Sequence, residues 1–294
     1  MKSRTRETDR PQQWGGAMVT VRSGEVELYL ESTGEGYPIV FVHEFGSDCR
    51  EWEQQVRWFS RSYRCITYNA RGYPPSAVPE SPDHYGWEPT VADLLAVLDG
   101  LGLPRAHLVG LSMGGYAVLQ FARLYPGRAG AVVAAGAGSG SDPDPASRAE
   151  WQRTCEATSR GFLTHGMVAM ADILGNGPTR TQLKHKSPRA WQEWMDHLAE
   201  HSPLGMANTM ARYQALRPSL HDFQAEWANV AAPVLLAVGD EDEPCLETNL
   251  MLKRCLPNSG LWIHPHTGHA INLEEPAAFN AAVESLLAGV GRLT

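Results

Sequence analysis

The stretch Ala106-His-Leu-Val-Gly-Leu111, followed by Ser112-Met-Gly-Gly115, decides how this chain folds. The first part is a short apolar run of the kind found in buried parallel strands. The segment Met113–Tyr125 has helical character and ends at a proline. The pattern G-x-S-x-G at the junction predicts a serine on a tight turn from strand to helix. Glycine suits its two outer positions because side chains there would collide inside the turn.

Apolar runs alternate with helical patterns on both sides of this segment. The predicted strands are Met18–Ser23, Glu25–Glu31, Pro38–Val42, Tyr63–Tyr68, Ala106–Leu111, Ala129–Ala135, Pro233–Val238 and Leu261–His264. The predicted helices are Asp48–Ser60, Thr90–Leu101, Met113–Tyr125, Leu246–Arg254 and Glu275–Leu287. This alternation predicts an α/β fold with a mostly parallel, doubly wound sheet of eight strands, whose first two strands form a hairpin.

One long segment, residues 139–231, interrupts the alternation. It contains no convincing strand, begins with a run of Gly, Ser, Asp and Pro, and continues with helical patterns rich in Trp and Met. We therefore predict a helical insertion at residues 139–231, within a core domain made of residues 17–138 and 232–294.

Composition limits the classes of function. The chain has 294 residues and a formal net charge of −8, which does not favour a nucleic-acid partner. Its five cysteines are scattered and odd in number, so we expect free thiols in a reducing, cytoplasmic compartment. Residues 1–16 lack the apolar segment of a secretory signal, and we expect them to be flexible. No run approaches the ~20 apolar residues of a membrane helix, so no membrane partner is predicted.

The C-terminal part supplies the groups that would activate the serine. A serine hydroxyl is a weak nucleophile and needs an adjacent base. His269 offers that base, in a loop between the last predicted strand and the last helix. A carboxylate should fix the histidine tautomer. The acidic run 240–243 provides it, with Asp242 as the preferred candidate and Asp240 as the alternative.

A metal site is the competing interpretation of the histidines. His264, His266 and His269 form the pattern H-x-H-x-x-H, which matches no standard zinc spacing and has no cysteine pair beside it. We therefore predict no metal and no other cofactor.

Three motifs in this order resemble the α/β-hydrolase superfamily, over about residues 18–287: Gly110-Leu-Ser-Met-Gly-Gly115, Gly239-Asp-Glu-Asp242 and Thr267-Gly-His269. The chain is similar to the capped branch of serine esterases, haloperoxidases and C–C hydrolases. The resemblance implies that Ser112, Asp242 and His269 form a catalytic triad. It also implies that the helical insertion is a lid over the active site.

The resemblance implies an oxyanion hole as well. Its two N–H donors would be those of Met113 and of Phe45, the latter in the loop after the third strand. Glu44 stands where the family usually has glycine. We expect its carboxylate to point away from the site, or to pair with Arg50 or Arg71, so that Glu44→Gly keeps activity within about tenfold. The alternative is that Glu44 touches substrate or tunes the histidine.

Large side chains of the insertion and nearby turns are candidates for the substrate pocket. They are Glu44, Tyr73, Trp87, Trp151, Trp191, Trp194, Met206 and Met210. A small helical lid also needs such side chains for its own packing, and this alternative stays open for each of them. Residues 69–76 resemble a family turn that is mainly structural.

These observations predict a serine hydrolase that cleaves a carboxylic ester with a modest apolar acyl or alcohol group. A C–C bond hydrolase of a ring-cleavage product, an amidase, a lactonase and a perhydrolase are alternatives with the same triad. A non-catalytic ligand receptor is the alternative from another class, and the complete triad disfavours it. The expected partner is a small molecule with an apolar part, and a homodimer stays open.

Overall fold

The computed structural model describes residues 17–290. The strands in this range are β1 (Ala17–Ser23), β2 (Val26–Thr33), β3 (Tyr37–Val42), β4 (Tyr63–Tyr68), β5 (Ala106–Leu111), β6 (Ala129–Ala135), β7 (Val234–Gly239) and β8 (Ser259–His264). They form one eight-stranded sheet in the order β1-β2-β4-β3-β5-β6-β7-β8. The pairs β1–β2 and β2–β4 are antiparallel, and all other pairs are parallel. The predicted fold class is confirmed.

Helices cover both faces of this sheet. They are α1 (Glu53–Phe59), α2 (Trp87–Gly100), α3 (Met113–Leu124), α4 (Pro145–His165), α5 (Met167–Gly175), α6 (Thr181–Lys186), α7 (Pro188–Glu200), α8 (Pro203–Asn208), α9 (Gln224–Trp227), α10 (Glu243–Cys255), α11 (Ile271–Glu274) and α12 (Pro276–Val290). Two apolar clusters result, one of which contains α2 and α3 side chains and the other α12 side chains. Each cluster removes a face of the sheet from water, which is the main stabilising term of such a fold.

The sequence patterns predicted the positions of the helices and strands more accurately than the residues at which these elements begin and end. The predicted helix Asp48–Ser60 is a 3₁₀ turn, Cys49–Trp52, followed by α1. The Asp48 carboxylate accepts a hydrogen bond from the Arg50 N–H at 2.8 Å and so caps that turn. Helix α2 begins three residues before its predicted start.

The chain between β6 and β7 is helical and carries α4 to α9, with a π-helical turn at Thr209–Gln214. This segment, which we call the lid, is the one predicted as an insertion, and its exact boundaries stay a prediction. The predicted flexibility of residues 1–16 concerns a part outside the described residues. No helix within residues 17–290 is long and apolar enough to cross a membrane.

The parallel strands bring distant residues to one edge of the sheet. Glu44 follows β3, Ser112 follows β5, Asp242 follows β7, and His269 lies beyond β8. The strand order β3-β5-β6-β7-β8 brings these segments to the same carboxyl edge, with β6 between β5 and β7. Ligands of open α/β sheets bind at this edge, so the candidate site lies there.

Candidate active site

Ser112 lies on a strained turn between β5 and α3. Its backbone has φ +52° and ψ −109°, a conformation uncommon for a residue with a side chain. A Cβ on Gly110 would overlap the Gly114 carbonyl group, and a Cβ on Gly114 would overlap the Val42 carbonyl group. The two glycines therefore permit the turn, and Ser112 stays half-buried at the edge of the sheet.

Asp242 and His269 form a buried hydrogen-bonded pair. The distance from His269 Nδ1 to Asp242 Oδ2 is 2.9 Å, and both side chains are buried. Burial by itself lowers the pKa of His269, but the Asp242 carboxylate outweighs it and holds the pKa well above the ordinary value. The alternative acid, Asp240, is exposed and accepts a hydrogen bond from the Thr267 N–H at 3.1 Å. The structure thus brings Asp242, and not Asp240, to the histidine.

The loop that carries His269 is held by a second carboxylate. Glu274 accepts hydrogen bonds from the N–H of Gly268 at 2.6 Å and of Ala270 at 3.1 Å. These bonds fix the backbone on both sides of the histidine. Sequence reasoning missed Glu274, although its place five residues after His269, at the end of the predicted loop, was a usable signal.

The three histidines considered as metal ligands do not assemble. His264 Nδ1 lies 2.9 Å from Thr267 Oγ1, and His266 is exposed. Within residues 17–290, one group has the geometry for a metal ion: Asp242, Cys245 and His269, whose ligand atoms lie within 4.8 Å of one another. Since the Asp242 and His269 atoms already share a hydrogen bond, the arrangement is explained without an ion.

Two backbone N–H groups in segments that follow β3 and β5 have no partner in the described part of the chain. The N–H groups of Phe45 and Met113 form no hydrogen bond within residues 17–290. The loop before Phe45 is held because the Ala70 N–H donates to His43 Nε2 at 3.0 Å. The lid covers the loop, with the Phe162 ring edge-on to the Phe45 ring at 5.9 Å. Both N–H groups are therefore free for a ligand oxygen.

The position of Glu44 contradicts the expectation that its carboxylate points away from the site or pairs with Arg50 or Arg71. Its carboxylate is buried, and Oε1 accepts a hydrogen bond from the lid residue Arg180 at 2.6 Å. Its other oxygen, Oε2, lies 3.8 Å from His269 Nε2.

The two arginines expected as partners are occupied elsewhere. Arg50 binds Asp48 at 2.6 Å, and Arg71 binds Asp93 at 2.5 Å. The expectation that Glu44→Gly is nearly harmless loses its basis, because Glu44 reaches the histidine.

Arg180 and Glu51 complete a buried charge cluster around Glu44. The Arg180 guanidinium lies over the Trp194 ring at 4.3 Å. Glu51 Oε2 accepts a hydrogen bond from the Glu44 N–H at 3.0 Å. Burial, and then the Glu44 charge, raise the pKa of Glu51 well above its ordinary value. Sequence reasoning missed both residues, since no local pattern links 180 with 44.

Most candidate pocket residues are held by contacts to the lid and the core. Trp87 packs on Phe223, Trp151 donates to the Gln214 carbonyl, and Trp191 donates to the Gly175 carbonyl. Met206 and Met210 are buried in the larger apolar cluster. Tyr73 is fully buried, and its hydroxyl accepts a hydrogen bond from the Gly46 N–H at 3.4 Å. Their role as pocket walls stays a prediction.

The serine and the histidine are not hydrogen-bonded to each other. Within residues 17–290, the Ser112 hydroxyl forms no hydrogen bond with another side chain. Such bonds are often long in unliganded enzymes and shorten when substrate binds. The serine turn and the Asp242–His269 pair nonetheless lie at the same carboxyl edge of the sheet, with β6 between β5 and β7.

Comparison with known proteins decides the family. A model of the alpha/beta hydrolase family matches residues 39–282. The chain belongs to this family. This alpha/beta hydrolase is 26% identical to 3-oxoadipate enol-lactonase 2 of Acinetobacter baylyi, over 91% of this chain and 96% of that protein.

Two further proteins illustrate the range of relatives. A putative carbamate hydrolase of Variovorax paradoxus is 28% identical, over 90% of this chain and 97% of that protein. A thermophilic esterase from Thermogutta terrifontis, solved with malate bound, superposes with a TM-score of 0.81 at 25% identity, covering 93% of this chain and 99% of that chain. Hydrolase activity follows from the family at this coarse level.

Proposed function

We propose that the protein is a serine hydrolase that cleaves carboxylic esters, lactones included, through an acyl-enzyme at Ser112. The observation that carries the proposal is the buried Asp242–His269 hydrogen bond of 2.9 Å, at the same edge of the sheet as a serine held at φ +52°. A histidine with its Nδ1 bound to a carboxylate presents Nε2 as a base.

The geometry suggests how the reaction proceeds. His269 Nε2 takes the proton of the Ser112 hydroxyl, whose oxygen attacks the ester carbonyl carbon. The free N–H groups of Phe45 and Met113 bind the resulting oxyanion, and each such donor is typically worth ~10²–10³ in turnover. Asp242 stabilises the imidazolium, which then protonates the departing alcohol. Water finally releases the acid.

The relatives support an oxygen ester as the bond that is cleaved. Their names include an enol-lactonase and an esterase, and both of these proteins align over nearly the whole chain. The lid buries aromatic and Met side chains over the carboxyl edge of the sheet, which suits a substrate with an apolar part. Five free thiols and a net charge of −8 support a cytoplasmic enzyme that acts on a small molecule and binds no nucleic acid.

The test is a hydrolysis screen over p-nitrophenyl esters of graded acyl length, with Ser112→Ala as the control. We expect turnover of short and medium esters by the native protein and none above background by the variant. A fluorophosphonate probe should label Ser112 in the native protein. No turnover of any ester together with no labelling of Ser112 would refute the proposal.

An anionic substrate is the second candidate, and Arg217 is the observation that favours it. Arg217 is buried with its guanidinium over the rings of Tyr116 and Tyr213, and its Nε and Nη1 atoms have no hydrogen-bond partner within residues 17–290. Its Nη2 donates to the Ser139 carbonyl group at 2.7 Å. A C–C bond hydrolase or a lactonase with a carboxylate on its substrate would use such a group. For an anionic substrate, Arg217→Met should raise the Michaelis constant for substrates that bear a carboxylate. It should leave the Michaelis constant unchanged for substrates that have none.

A further inference from the structure

Glu44 occupies a position opposite Asp242 across the His269 ring. Asp242 Oδ2 lies 2.9 Å from Nδ1, and Glu44 Oε2 lies 3.8 Å from Nε2. Nε2 is the nitrogen that exchanges protons with Ser112 and, later, with water. A second carboxylate therefore faces the atom at which both half-reactions take place.

The charge of Glu44 is compensated within the protein. Arg180 donates to Oε1 at 2.6 Å, and both side chains are less than 5% exposed, with Arg180 at 4% and Glu44 at 1%. The neighbouring Glu51 has a raised pKa, so it competes less for the guanidinium. One oxygen of Glu44 is thus held by the lid, while the other stays directed at His269.

We propose that Glu44 is a catalytic residue that holds the hydrolytic water of the deacylation step together with His269. This inference rests on the proposed function. A water bonded to both Nε2 and Oε2 at about 2.8 Å each can bridge atoms that lie 3.8 Å apart. With both hydrogens engaged, its lone pair stays free to attack the acyl carbon on Ser112.

Deacylation by this water releases the acid and regenerates the serine. The water oxygen attacks the acyl carbon, and one proton passes to His269 Nε2 while the other stays hydrogen-bonded to Glu44. The bond from the acyl carbon to Ser112 Oγ then breaks, and His269 returns its proton to that oxygen. The products are the free carboxylic acid and the original serine, with Glu44 unchanged.

Glu44 should act mainly on the second half-reaction. During acylation Nε2 receives the Ser112 hydroxyl, which is positioned by the turn and needs no help from Glu44. During deacylation the nucleophile is a free water molecule, whose orientation costs entropy unless the protein supplies it. The Glu44 carboxylate, 3.8 Å from the basic nitrogen Nε2 of His269, supplies that orientation.

The experiment separates the two half-reactions by rapid mixing with p-nitrophenyl acetate. Formation of the acyl-enzyme appears as the first p-nitrophenol phase, and intact-mass spectrometry during turnover measures how much acyl-Ser112 accumulates. For Glu44→Gln we expect acylation within about threefold of the native rate, steady-state turnover reduced at least tenfold, and acyl-enzyme that accumulates. Glu200→Gln is the matched control, since this exposed lid glutamate binds Arg50 outside the site, and it should change neither phase.

The outcomes distinguish the inference from the proposed function. A folded Glu44→Gln variant that deacylates at the native rate and accumulates no acyl-enzyme overturns the inference. A loss of activity confined to the acylation phase also overturns it. If that variant does not fold, Glu44→Asp is the second test, because it keeps the charge but moves the carboxylate away from His269. The inference then requires the same slow deacylation phase in Glu44→Asp. A native protein that neither turns over nor is labelled at Ser112 refutes the proposed function instead.

Discussion

The buried pair Glu44–Arg180 gives a stability prediction that can be worked out from the structure. Nη2 and Oε1 lie 2.6 Å apart, and neither side chain is more than 4% exposed. Replacing Arg180 by Met leaves the Glu44 charge without its partner in a nearly dry environment. Such a break typically costs about 3–5 kcal/mol of unfolding free energy.

This cost translates into a measurable shift of the melting temperature. Unfolding entropy is about 2.1 cal/mol/K per residue, so a chain of 294 residues loses roughly 0.6 kcal/mol for each kelvin near its midpoint. We therefore expect Arg180→Met to lower Tm by about 5–8 °C in calorimetry. The double variant Glu44→Gln/Arg180→Met should recover part of this loss, because it buries no unpaired charge.

The control is Arg189→Met, which removes an exposed arginine of the same lid from its pair with Glu193. Exposed pairs contribute little, so Tm should stay unchanged within error. A Tm shift in Arg180→Met no larger than that in Arg189→Met would show that Glu44 and Arg180 are not a buried, coupled charge pair. A double variant whose Tm loss equals the sum of the losses in Glu44→Gln and Arg180→Met would show the same. The lid would then not be tied to the active site through Glu44.

Two further predictions concern the Asp242–His269 pair. Asp242→Asn should lower kcat by about 10⁴-fold, the typical loss when the carboxylate that fixes the histidine tautomer in a Ser-His-Asp triad is replaced. Asp240→Asn, at an exposed position, should stay within about threefold of the native kcat. Equal losses in the two variants would contradict the assignment. The kcat/KM of the native enzyme should rise with pH through a midpoint above 6.5, since His269 must be neutral to accept a proton and Asp242 raises its pKa. A pH titration of kcat/KM that shows the midpoint below 6.5 would disagree with this electrostatic account.

Local sequence patterns located the secondary structure because they report burial directly. The run Ala106–Leu111 is apolar apart from His107, and all six residues of β5 are buried. Strand β6 has the same character over Ala129–Ala135. Element ends were less accurate, since capping and 3₁₀ geometry at Cys49–Trp52 depend on hydrogen bonds that periodicity does not describe.

The partners of charged residues could not be predicted in the same way. Glu44 has Arg50 and Arg71 within 27 positions, and both looked like suitable partners. Each of them is bound to another carboxylate, while the guanidinium that Glu44 meets comes from Arg180, 136 residues away. A charge pair depends on which side chains the fold brings within a few ångströms, and sequence separation carries no information on that.

The sequence by itself therefore determined the eight-stranded α/β fold, the turn that carries Ser112, and the order in which Asp242 and His269 follow it. Those features rest on local periodicity, on glycine at a tight turn, and on a fixed topology that gathers strand ends at one edge. Only the tertiary structure decided that Glu44 points inward to His269 and that the lid holds it there through Arg180. Packing the lid over the sheet buries the Glu44 carboxylate, and a buried carboxylate must pair with whichever cation the fold provides.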